Sequence, residues 1–144
     1  MKFSKTANNS YLLRLEKGDE VISSIKLFCE KQRIKNAWLS GLGSVENTIL
    51  AHYRVDTKKY SEKKIPDILE VTSLTGNVAV FENAPFVHAH ASLSDDEMRA
   101  LGGHLVSATV SAAFEILITD LGTEHAKKFD EEIGLKLFDL PELQ

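Results

Sequence analysis

One stretch of this sequence, and one only, carries apolar residues at sustained helical spacing, and that limits the fold more than any other feature. From Glu20 to Gln32, the residues Val21, Ile22, Ile25, Phe28 and Cys29 recur so as to line one stripe of a helix. Gly18 breaks the segment before it, and Asp19 is the expected N-cap. Almost everything else alternates with a period of two. Tyr11, Leu13 and Leu15 fall on one face of a strand over Ser10–Glu16, opposite Leu12, Arg14 and Glu16.

After the helix the chain reads as strands almost to its end. Asn36–Ser40 runs into Gly41-Leu42-Gly43, expected to be a tight turn, and Thr48–Val55 forms the next strand. Ile68–Ser73 and Asn77–Phe81 are expected to pair around a turn at Thr75-Gly76-Asn77. Phe86–Leu93 and Leu105–Thr119 supply further strands, the latter because Val, Thr and Ile favour the pleat over a helix. The tail from Gly134 to Leu140 alternates again and is expected to close a sheet. One helix followed by many strands predicts an α+β fold with a mostly antiparallel sheet. The 144 residues are expected to form a single domain, with a core over about 10–140.

Charge and cysteine content narrow the function. The formal net charge is −4, and the one local basic cluster, Lys58 to Lys64, is diluted by Glu62 and reads as a solvated loop. Autonomous duplex DNA binding is disfavoured, because phosphate neutralisation needs a concentrated basic face. The lone cysteine, Cys29, lies on the helical stripe and is expected to be a core residue. No stretch has the ~20 apolar residues a membrane span requires, and the first ten residues lack an apolar leader core. A cytoplasmic location is expected.

The chemistry concentrates in Phe86-Val87-His88-Ala89-His90-Ala91-Ser92-Leu93. Period two puts His88, His90 and Ser92 on one face, with the two imidazoles ~6.5–7 Å apart along the strand, close enough to converge on one ion. An acidic turn over Ser94–Ala100 then leads to Gly102-Gly103-His104, and a hairpin return brings His104 alongside the pair. Paired glycines permit close backbone approach there. Three neutral imidazoles with an open fourth position form the donor set of a catalytic-type zinc site. His52 and His125 have no such companions, and Asp95, Asp96 and Glu97 read as a solvated loop tip. Glu115 interrupts an apolar run and needs a partner, solvent or a role near the metal. Arg14 is a candidate partner. If the centre is catalytic, Glu115 is the candidate residue for handling protons.

The order of motifs resembles the PPC (plants and prokaryotes conserved) domain family. The matching stretches are Arg14–Glu20, Leu39–Val45, Glu70–Asn77, Pro85–Asp95, Gly102–Leu105 and Phe129–Leu135. The resemblance implies a sheet packed against a helix, assembly as a homotrimer, and His88, His90 and His104 as ligands of a divalent metal such as zinc, with water or a small anion completing the shell. It also marks Arg14 and Glu115 as family-typical polar positions. Plant members follow AT-hook segments; this chain has no Arg-Gly-Arg-Pro, the element that reads the AT-rich minor groove.

Overall fold

The computed structural model describes residues 1–143. It is an α+β fold with one main helix and a mostly antiparallel sheet. The elements run β1 (Lys2–Lys5), β2 (Ser10–Glu16), α1 (Val21–Gln32), β3 (Ala37–Arg54), β4 (Lys59–Ile65), β5 (Leu69–Phe81), β6 (Ala84–Ser94), β7 (Ala100–Asp120), β8 (Lys127–Asp130) and β9 (Leu135–Phe138). The first seven strands form one sheet in the order β1-β2-β7-β6-β5-β3-β4, and an additional β3–β7 pairing closes β7, β6, β5 and β3 into a ring. Among the described residues, the ring leaves only β1 and β4 as edges of this sheet.

Helix α1 buries the stripe read from the sequence: Val21, Ile22, Ile25, Phe28 and Cys29. Phe28 meets Phe3 and Tyr11 edge-on, with ring centroids 5.2 and 5.4 Å away. The cap differs from expectation. Glu20, not Asp19, is the N-cap; its carboxylate accepts from Ile22 N and Ser23 N and also from Ala108 N of β7. Asp19 instead accepts from Glu16 N at 2.9 Å and pairs with the terminal amine at 3.1 Å. Cys29 is fully buried, and desolvation pushes its thiol up to about 12, so it is an inert core residue.

Two glycine-marked turns prove to be strand interiors. Gly41 and Gly43 lie within β3, where the register with β5 slips between them. A Cβ at Gly43 would stand 2.5 Å from Ala113 O of β7. Gly76 lies inside a continuous β5, and a Cβ there would stand 2.5 Å from His88 O. These glycines answer to close strand approach, not to chain reversal. The basic cluster is likewise not a loop: Lys59–Ile65 is β4, an edge strand paired with β3. Lysines on an edge oppose pairing with another chain. The tail strand β9 pairs only with β8, in a separate two-stranded sheet.

Candidate metal centre

The site is built by a hairpin. β6 turns into β7 through Asp95–Arg99, where Asp95 accepts from Arg99 N, Glu97 N and the Arg99 guanidinium. That engagement holds its carboxyl below the ordinary carboxylate range. Asp95 is thus committed to the turn, and the loop tip supplies no ligand. The return sets His104 directly opposite His90, and Gly102 and Gly103 lie between flanking strands. A Cβ would stand 2.8 Å from Ala91 O at Gly102 and 2.9 Å from Ala51 O at Gly103, so only glycine lets β7 pack this closely.

His88, His90 and His104 converge. Their ring centroids lie 5.1, 5.2 and 5.6 Å apart, and one ligand atom from each falls within 4.8 Å of the others. His88 Nε2 and His90 Nε2 are 3.3 Å apart. Two nitrogens bound to one tetrahedral zinc at ~2.05 Å stand about 3.3 Å from each other, so this edge has the size an ion needs. His104 Nδ1 is buried without a hydrogen-bond partner, an orphaned ring nitrogen that a bound group would complete. The cluster can hold a divalent metal ion.

Electrostatics agree. Desolvation, helped by His104, Lys127 and His90, lowers His88 to about 4. Desolvation and His90 lower His104 as well. Both rings are neutral near pH 7, which is the state a metal requires.

Beside the histidines opens a cavity of about 530 Å³, walled by His88 and His104 on one side and by β8 and β9 on the other. Tyr60 of β4 tilts against His104 with centroids 5.5 Å apart. Asn77 sits opposite His88 on β5, and its Oδ1 is buried without a partner. Lys127 is only 8% exposed, and burial lowers its ammonium from the ordinary lysine range. Its Nζ lies 4.4 Å from the Phe138 ring centroid and donates weakly to Lys136 O at 3.4 Å. Buried Asn36 fixes the approach to Lys127 by accepting from Thr123 Oγ1 and His125 N and donating to His125 O.

The sequence did not single out Tyr60, Asn77 or Lys127 for this role. Tyr60 was hidden in the lysine-rich segment, and Asn77 in an expected turn. His52 is exposed on β3, and His125 serves the Asn36 loop through its backbone. Glu115 is exposed on the outer face of β7, opposite Arg14 on β2 and Leu42 on β3. It stands eleven residues beyond His104, a strand path of roughly 36 Å. The chain therefore does not bring Glu115 to its own histidines. The ion pair Arg14 makes is with Glu16, at 3.6 Å.

Residues 2–122 match the Plants and Prokaryotes Conserved (PCC) domain. The chain belongs to that family. Among solved PCC-like structures, a plant- and prokaryote-conserved protein of Pyrococcus horikoshii is 34% identical, with TM-score 0.86 over 99% of this chain and 97% of that one. A protein of Archaeoglobus fulgidus described as metal-containing is also 34% identical, with TM-score 0.84 over 96% and 99%. A candidate DNA-binding protein of Bacteroides thetaiotaomicron is 25% identical, with TM-score 0.92 over 96% of each chain. No curated protein matches. The histidines lie inside the matched PCC segment, whereas β8 and β9 lie beyond it.

Proposed function

We propose that this PCC chain, acting as one domain in the cytoplasm, is a metal-dependent binding protein for a small molecule. His88, His90 and His104 hold a divalent ion, zinc by its preference for imidazole, with the remaining position left to water or a small anion. The convergence of three imidazoles, with one ligand atom from each within 4.8 Å of the others, carries this reading. The metal-containing relative from Archaeoglobus fulgidus supports it. A zinc ion there supplies Lewis acidity to whatever ligand completes its shell. The chain's own residues present the cavity: Tyr60 backs His104, and Asn77 and Lys127 offer polar contacts beside the ion.

Metal analysis of protein purified without an affinity tag tests the proposal. About one ion per chain is expected in the wild type and almost none in His90→Ala. Metal content unchanged by that substitution defeats it.

Assembly as a homotrimer is part of the same proposal. Leu12, Trp38, Leu42 and Leu117 are exposed on the neighbouring strands β2, β3 and β7. Such a contiguous apolar face favours burial against other copies. No helix among the described residues is long and apolar enough to cross a membrane.

A second reading, association with DNA, is favoured by the description of the Bacteroides thetaiotaomicron relative. The net charge of −4 works against it. Retardation of duplex DNA that fades steeply with salt would establish it.

A further inference from the structure

The cavity beside the histidines has a chemistry of its own. Its floor and outer wall are apolar, with Phe86 on β6 and Leu135, Leu137 and Phe138 on β9. Into this surface is set one nearly buried cation, Lys127, with no carboxylate within salt-bridge distance among the described residues. A desolvated ammonium facing aromatic rings and one long carbonyl contact is underpartnered. A second polar group, Asn77 Oδ1, is also buried and unpartnered on the cavity lining. Lys136, whose ammonium lies 4.2 Å from the Phe81 ring centroid, adds another positive charge, and the exposed Glu62 is the one acid on the lining. With neutral histidines, the lining carries two lysines against one carboxylate.

We propose that this cavity binds an organic acid with an apolar or aromatic body. Its carboxylate pairs with Lys127 and its hydrocarbon part packs on Phe86, Leu135, Leu137 and Phe138. A hydroxyl or N–H on the ligand donates to Asn77 Oδ1 where the ligand carries one. The volume, about 530 Å³, suits a molecule larger than a simple two-carbon acid. A single buried cation selects one carboxylate, and the apolar walls reject compact, strongly hydrated anions such as sulfate. The proposal deepens the small-molecule reading above, but it rests on Lys127 and not on the ion, so the two can fail separately.

Calorimetric titration of full-length protein with phenylacetate, 1-naphthoate and decanoate tests it, using chelator-treated and zinc-loaded samples side by side. At least one of these acids is expected to bind the chelator-treated protein, while acetate and the matching neutral amide bind about 10–100-fold more weakly. Lys127→Met keeps the apolar stem and is expected to lose the acid by a similar factor while preserving the circular-dichroism spectrum and zinc content. Phe138→Ala, on a second wall, is expected to weaken the long-bodied acids more than acetate. Overturning results are no binding by any of the three acids, equal affinity for acid and amide, or undiminished affinity in a folded Lys127→Met. If that variant does not fold, undiminished affinity in Phe138→Ala overturns the proposal in its place. Zinc taken up by a protein that binds none of the acids defeats this inference alone; acid binding by a protein that takes up no zinc when loaded defeats the metal proposal alone.

Discussion

The two ends of β7 start from the same sequence device and arrive at different chemistry. Near its start His104, and near its end Glu115, each put a polar side chain into a strand with a buried apolar face. His104 has His90 opposite it on β6, Tyr60 tilted against its ring and a cavity at its edge. Glu115 has Arg14 and Leu42 as cross-strand neighbours and faces outward. A polar residue on a strand becomes a site when flanking strands supply convergent donors and partial desolvation. Without both, it remains part of a surface.

Zinc affinity should separate the ends most sharply. His104→Ala is expected to weaken zinc binding by orders of magnitude in a chelator competition assay, and Glu115→Ala to leave it unchanged. A large loss in Glu115→Ala would mean that this residue reaches the centre from another copy. Next in size is the core beneath the outer face: Phe114→Ala is expected to cost about 3–5 kcal/mol in denaturant unfolding, because Phe114 is fully buried. Its neighbour Glu115→Ala, exposed on the single chain, should cost much less than Phe114→Ala. Gly103→Ala tests the histidine end, where the added methyl meets Ala51 O at 2.9 Å; a loss of about 1–3 kcal/mol is expected, with zinc affinity falling as β7 shifts.

The smallest effect is in pH. His88 titrates at about 4 in the folded chain against 6.5 as its ordinary value, so the unfolded state binds more protons between those limits. Stability of the metal-free protein should fall as pH drops from about 6.5 to 4 and then level off with respect to this group. The loss is on the order of 1–2 kcal/mol after discounting for a ring that is only partly buried. His88→Ala should flatten that slope, and an unchanged slope would place the desolvation elsewhere.

How far the sequence could be read depends on the range over which each feature is determined. The helix stripe and the His88, His90 and His104 convergence were legible because each is set locally, by spacing along one element or by one short hairpin. Gly41, Gly43 and Gly76 misled because a turn and a close strand crossing call for the same residue, and only the neighbour decides which applies. The lysines of β4 looked like a loop because an edge strand is protected by the charge that marks solvent exposure. The cavity was invisible for a different reason. Tyr60, Asn77 and Lys127 come from β4, β5 and β8, and no local pattern ties them together.

The β8–β9 hairpin has a thermodynamic consequence. Its ladder joins no other strand among the described residues, and its anchors are few: a single bridge from Val80 to Ala126, and the Tyr53 hydroxyl and Lys58 ammonium donating to Ile133 O and Glu131 O. An isolated two-stranded ribbon is marginal in water, so these amides should exchange with deuterium well before those of the closed ring. A guest lodged beneath the ribbon would slow that exchange in proportion to its occupancy, making β8 and β9 a built-in reporter of who has entered.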